Sequence, residues 1–239
     1  MDVGKSTRIA WFQRLFVALG AAALVLAVFL LTWSQRLRPV ACFTTSLADR
    51  NPEQMRNIRI AVNAINGRSI ARGARFSFNS AAGPYALGRG YVEAPALIRG
   101  HLQQAPAGGV CQVSSTLYNA ALLAGMKVVE RHPHASLVSS VPPGRDAMVA
   151  SGRADLILLN EGLEPVQISA SISGERLIIC IVGHSGRRPD VTIRAERHRL
   201  GPGRFEVETW LITRAHEGEK TRETVERISL DRYEPPMSE

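Results

Sequence analysis

The residue with the clearest chemical potential in this sequence is Cys111. It stands in the run Ala107-Gly108-Gly109-Val110-Cys111-Gln112-Val113-Ser114-Ser115, where two glycines lead into apolar residues at helical spacing. A cysteine in that place falls at a helix N-terminus. The first backbone N–H groups of a helix have no intrahelical partner, and they carry the positive end of the macrodipole. Both effects favour a thiolate. The same N–H groups can hold the oxyanion that forms when an acyl carbonyl is attacked. Gly108 and Gly109 let the backbone approach a substrate closely, and Gln112, Ser114 and Ser115 add polar groups in the first turn as candidate substrate contacts.

Possible partners for such a thiol follow in Arg131, His132, His134, Arg145 and Asp146. A histidine beside a cysteine serves as general base and as thiolate partner. Asp146 has the chemistry to orient an imidazole. Arg145, and Arg131 with it, suits a substrate carboxylate. The sequence leaves His132 and His134 open as the base, with a preference for His132, whose backbone Pro133 restricts. Each residue also has a plain structural reading. Cys111 fits the core side of an apolar-faced helix, the serines fit helix caps, the histidines fit a polar loop, and Arg145 with Asp146 fits a surface ion pair. No metal or other cofactor is expected. Cys42, Cys111 and Cys180 lack zinc-ligand spacing, and His132 and His134 have no third ligand beside them. The odd cysteine count leaves at least one free thiol. A Cys42–Cys180 pair is compatible with the sequence but not required by it, and no resolving cysteine lies near Cys111 to make a redox switch.

Several elements must position these groups. Asn51-Pro52-Glu53 has the form of a helix start, with Asn51 as N-cap and Pro52 in the first turn. Met55, Ile58, Ala61, Val62 and Ile65 then share one face, and Asn66-Gly67 ends the helix. A second helix is predicted from Gln112 to Ala124, with Val113, Leu117, Ala120, Ala121 and Ala124 as its apolar stripe. Strands are predicted at Phe43–Ser46, Arg75–Asn79, from Val128, at Leu156–Leu159, Val166–Ile172 and Leu177–Val182, and in a hairpin of Phe205–Thr213 with Thr221–Leu230. The fold class is α+β: one domain with two early helices packed on a mainly antiparallel sheet.

The chain of 239 residues is 45% apolar and 21% charged, which excludes an intrinsically disordered protein. Leu15 to Thr32 contains no charge and is just long enough to span a bilayer core. Trp11 and Trp33 flank it, as interfacial aromatics do. The organisation expected is a cytoplasmic N-terminus at 1–14, an uncleaved single-pass anchor at 15–33, a linker at 34–41, the main extracytoplasmic domain at 42–183 and a C-terminal β extension at 184–239. A cleaved signal peptide and a lipoprotein processing site are the alternatives for the anchor. After the first 14 residues the chain keeps +6 of its formal +8 charge. That suits anionic surfaces such as phospholipid or cell-wall polymer. Nucleic acid is not an expected partner, because basic residues and aromatics are not interleaved.

Longer motifs resemble a known family. FTTS at Phe43, NIRIAVNAINGRSI, FSFNSAAGP with the following GY, GGVCQVSSTLYNAALLAG, VVERHPHAS and VPPGRDAMVASGRADL look like the VanW domain over roughly Cys42 to Ile172. Ala107, Ala135 and Ser151 depart from its usual glycine, serine and aromatic. The resemblance implies L,D-transpeptidase-like chemistry on peptidoglycan stem peptides. Cys111 would attack the carbonyl after the third stem residue and expel D-alanine, and the thioester would pass to an amine or to water. The implied alternatives are a non-catalytic wall-binding or envelope-scaffold module, and a redox or acyl-carrier thiol. Oligomeric state is not legible.

Overall fold

Asn51 opens the first helix as the sequence suggests. In the computed structural model, which describes residues 37–98, 101–185, 189–217 and 220–235, its side chain accepts from the Gln54 N–H, and Gln54 reaches back to the Asn51 N–H. This reciprocal cap begins α1 (Pro52–Ile65). The second long helix, α3 (Val110–Leu123), starts two residues earlier than expected, on Gly109 in the left-handed region. Between them lies a one-turn helix α2 (Phe78–Ala82), where the sequence alternation suggested that the preceding strand continued. Ser77 ends that strand by capping the turn through the Ser80 N–H.

Four strands form the main antiparallel sheet in the order β1-β9-β8-β2: β1 (Arg38–Ser46), β9 (Arg176–Gly183), β8 (Val166–Ser173) and β2 (Ser69–Ile70). Alternation decides its faces. Leu177, Ile179 and Ile181 of β9 and Ile168 and Ala170 of β8 turn inward, where Ile58, Val62 and Ile65 of α1 and Val113, Leu117 and Ala121 of α3 cover them. Burying each large aliphatic side chain is worth about 1.5–3 kcal/mol. Cys42 and Cys180 sit directly opposite each other on β1 and β9 and are joined by a disulfide. Cys111 is the free cysteine.

A second antiparallel sheet runs β3 (Arg75–Ser77), β7 (Ile157–Leu159), β6 (Lys127–Glu130). β4 (Glu93–Ile98) and β5 (His101–Pro106) form a hairpin that delivers the chain to Gly108. This hairpin was not read from the sequence. A third sheet, β10 (Asp190–Gly201), β11 (Arg204–Glu217) and β12 (Lys220–Tyr233), contains the hairpin expected in the C-terminal extension plus β10. Arg38–Glu239 clusters as one compact unit that includes this sheet. The mainly antiparallel sheet with few helices agrees with the α+β expectation. The expected cytoplasmic segment at 1–14 and the expected anchor at 15–33 lie outside the described residues, as do residues 34–36 of the expected linker. Among the described residues, no helix is long and apolar enough to cross a membrane.

Candidate functional site

Helix α3 is enclosed on nearly every side, and its polar residues tie it to its neighbours rather than to solvent. The Gln112 amide donates to Thr45 Oγ1 and to the Ser46 carbonyl, and its Oε1 accepts from Arg50 at 2.7 Å. Thr116 and Thr45 hydroxyls bond at 3.0 Å. Ser114 Oγ donates to the Ala147 carbonyl at 2.6 Å, and Ser115 Oγ accepts from the Ala147 N–H at 2.9 Å. Asn119 donates to the Arg145 carbonyl at 2.7 Å. Buried polar groups must be satisfied in this way or cost stability. Their effect here is to lay the segment 145–149 along the helix, on the side that carries Cys111.

A second lock sets the histidine segment beside that one. The Met148 N–H donates to the His132 carbonyl at 2.8 Å, closing an isolated antiparallel bridge between the two residues. His134 consequently stands opposite Asp146. One carboxylate oxygen, Asp146 Oδ2, takes both the His134 backbone N–H and ring Nδ1, each at 2.6 Å. With Nδ1 held by Asp146, Nε2 is the ring nitrogen left free of that bond, and Cys111 is near enough to His134 to help raise its pKa. The Cys111 Sγ lies 3.6 Å from the Val149 carbonyl. The thiol is half-buried, neither sealed off nor fully exposed.

The electrostatics follow from these contacts. Burial alone would lower the His134 pKa, but the hydrogen bonds to Asp146 and to Cys111, with their charges, raise it to about 9. Asp146 is 1% exposed, and burial works against its ionisation. The bond from His134, the Arg131 guanidinium and the Tyr233 hydroxyl outweigh burial and hold the carboxyl below its ordinary range. An imidazolium at neutral pH, held by a buried carboxylate, is a group that can exchange a proton with chemistry at Cys111.

The helix N-terminus is more occupied than its sequence suggests. The Val110 and Gln112 N–H groups bond to the Ala107 and Gly109 carbonyls. The Cys111 N–H belongs to the first turn of the helix, where backbone donors are candidates for holding an oxyanion. The glycines serve the packing. A Cβ on Gly108 would strike the Ala94 carbonyl and come within 2.6 Å of the Pro95 carbonyl. Gly109 has φ +99°, and Ala107, where the resembled family carries glycine, adopts φ +61°.

The expected site residues therefore divide. Cys111, His134 and Asp146 come together. His132 contributes its backbone to the bridge while its ring, 42% exposed, turns to Glu130 at 2.9 Å, so the preference for His132 gives way to His134. The restriction imposed by Pro133 fixes the bridge rather than the ring. Gln112, Ser114 and Ser115 hold neighbouring segments and are buried, which corrects the expectation that they meet substrate. Gly108 packs closely against β4 and Gly109 against α1. Arg131 is also internal: its side chain is 6% exposed and bridges Asp146 at 3.0 Å and Asp231 at 2.5 Å. Arg145 bonds Asn119 and lies over the Phe43 ring at 5.1 Å. Asn119 is two turns, about 12 Å, down the helix from Cys111, so Arg145 is not beside the thiol.

Three contributors escaped the sequence reading. Tyr85 feels the charge of Cys111. Burial first, and then Cys111, Tyr91 and Asp155, push its hydroxyl well above the ordinary value. The hydroxyl donates to Asn79 at 2.6 Å. Its only signal is an aromatic side chain beside Gly83-Pro84. Tyr233 donates to Asp146 Oδ1 at 2.6 Å, and Asp231 takes Arg131. Neither carries a local signal, because their partners are about a hundred residues away. As for metals, Glu196, His198 and Glu208 of β10 and β11 offer ligand atoms within 4.8 Å of one another, but Arg194 and Arg227 already pair the two carboxylates.

Comparison with known proteins agrees with the motifs. The family model described as VanW like protein matches residues 53–182. A protein of Bacillus subtilis (strain 168), Uncharacterized protein YoaR, is 37% identical over 139 residues, covering 58% of this chain and 46% of that protein. The chain thus spans less than half the length of that relative. No solved structure matches. The matched region runs from the first helix through the main sheet and contains Cys111, His134 and Asp146, and on that match the chain belongs to the VanW-like family.

Proposed function

We propose that this protein is a cysteine acyltransferase of the bacterial cell envelope, acting on peptidoglycan stem peptides in the manner of an L,D-transpeptidase. The observation that carries the reading is the alignment of Cys111, His134 and Asp146 around a half-buried thiol. In the first step the Cys111 thiolate attacks the carbonyl carbon of the third stem residue, and the carbonyl electron pair moves to oxygen, where the Cys111 N–H can receive it. Collapse of that intermediate breaks the bond to D-alanine, whose nitrogen takes the proton from His134. The product is a thioester on Cys111 and a neutral imidazole. In the second step His134 accepts a proton from an incoming stem amine or water as it attacks the thioester. Sγ leaves as thiolate, and a cross-link or a free acid results. Asp146 holds the imidazole in the tautomer that both steps require.

The envelope location is part of the proposal. The Cys42–Cys180 disulfide suits an oxidising compartment, and the apolar run at 15–33 supplies a membrane anchor. A redox role for Cys111 is not favoured, since the other two cysteines are joined to each other. The test is turnover of disaccharide-tetrapeptide by the full chain. D-alanine release is expected from the wild type and from His132→Ala, and is expected to fall by about a hundredfold or more in His134→Ala. Release that is absent in the wild type, with Cys111 no more reactive than a free thiol, points instead to a non-catalytic envelope-binding module.

A further inference from the structure

The strand that closes this site lies beyond the region matched by the family. Asp231 and Tyr233 occupy alternate positions of β12 and share its inward face, at 4% and 1% exposure. Each grips the segments that carry the reacting groups. Tyr233 Oη donates to Asp146 Oδ1 at 2.6 Å and accepts from the Gly144 N–H at 2.8 Å, so it holds both the carboxylate and the turn before it. Asp231 takes Arg131 through two bonds of 2.5 and 2.6 Å, and Arg131 in turn donates to the Asp146 carbonyl at 2.6 Å and to Oδ1 at 3.0 Å. Just past the strand, the Glu234 N–H donates to the carbonyl of Ala135, the residue after His134. The C-terminal sheet therefore fastens the chain on both sides of the His134–Asp146 pair.

We propose that β12 is a working part of the acyl-transfer site, with Asp231 and Tyr233 as positioning residues that fix the Asp146 carboxylate and, through it, the His134 ring against Cys111. The inference rests on the reading of Cys111 as nucleophile given above. The Asp146 carboxylate has two oxygens: Oδ2 is committed to His134, and Oδ1 accepts from Tyr233 and Arg131. Without those donors Oδ1 is a buried acceptor with no partner, and the carboxylate is free to rotate away from the ring. Charge balance adds to the geometry. The ionisable groups around the pair are Cys111 and Tyr118 on α3, Arg131 after β6, Arg145 in the loop, Tyr85 after α2, and Asp231 and Tyr233 on β12. Arg131 pairs with both buried carboxylates, Asp146 and Asp231, and Asp146 also takes the His134 ring.

The test is the rate of iodoacetamide alkylation of Cys111 in the full chain from pH 5 to 10, with thermal unfolding measured on the same samples. The disulfide leaves Cys111 as the one thiol to be labelled. Tyr233→Phe removes a single oxygen, and it is expected to fold, to slow alkylation at pH 7 by about tenfold, and to displace the pH profile. Asp231→Asn is expected to act in the same direction; should it fail to fold, Tyr233→Phe decides. Thr224→Ala, exposed on the same strand, is expected to leave the profile unchanged. If His134→Ala alters the profile but Tyr233→Phe superimposes on the wild type, β12 only stabilises the fold and the inference is overturned. If His134→Ala superimposes as well, the nucleophile reading itself fails, and the inference falls with it.

Discussion

At the scale of single residues, the two histidines of His132-Pro133-His134 show how a spacing of two divides labour. In an extended segment, residues i and i+2 share a side, yet only the His134 ring meets Asp146, while the His132 ring turns to Glu130. No property of the sequence separates the two; a contact with Asp146, twelve residues on, does. The raised pKa of His134 gives the first prediction. In an NMR titration its ring is expected to have a midpoint near 9. Cys111→Ala lowers that midpoint but leaves it above 6.5, because the Asp146 bond remains; a wild-type midpoint at or below 6.5 would contradict the assignment. The same shift bears on stability. A histidine whose folded pKa is raised stabilises the fold fully below its unfolded value of about 6.5, and that contribution is lost as pH climbs through about 9. The depressed Asp146 contributes above its unfolded value and loses that contribution as the solution is acidified. The Tm difference between wild type and His134→Ala should therefore be largest between about pH 4 and 6.5 and shrink toward pH 9.

At the scale of elements, α3 was legible and the hairpin before it was not. Val113, Leu117 and Ala121 repeat at helical spacing, and Gly125 marks the stop. The serines read as cap or substrate residues because burial is invisible in a sequence, and a helix enclosed on nearly every side needs polar side chains to satisfy its neighbours. β4 and β5 went unread because Glu93-Ala94-Pro95-Ala96 has a proline and little β-branched character. β10 was missed because Arg194 to Arg199 is rich in charge, with its inward positions only partly apolar. Gly108 tests the junction between hairpin and helix. Gly108→Ala forces a methyl group onto the Ala94 and Pro95 carbonyls, and it is expected to cost about 1–3 kcal/mol in denaturant unfolding and to slow Cys111 alkylation. A variant with wild-type stability and reactivity would show that the hairpin need not seat against the helix start.

At the scale of the whole molecule, the site is assembled from distant parts of the chain. Cys111 comes from a helix laid on the main sheet, His134 and Asp146 come from two loops bridged at Met148, and Tyr233 comes from the last described strand. That long-range character explains why the motifs carried Cys111, His134 and Asp146 but gave no sign of Asp231 and Tyr233. The mainly antiparallel arrangement with few helices, by contrast, was readable from local patterns alone. The Cys42–Cys180 bond ties β1 to β9 across 138 residues of chain, so it constrains the unfolded state over most of the matched region. Cys42→Ser with Cys180→Ser is expected to lower stability by about 2–4 kcal/mol while leaving the Cys111 alkylation rate at pH 7 within about twofold, since neither residue touches the site. A large change in that rate would mean that the disulfide shapes the site directly. The most direct measurement of the central claim is peptide-mapped mass spectrometry of the full chain after brief incubation with disaccharide-tetrapeptide. A disaccharide-tripeptidyl adduct on Cys111, absent in Cys111→Ala and strongly reduced in His134→Ala, is the predicted result; an unmodified Cys111 at every time point, with no release of D-alanine, would contradict it.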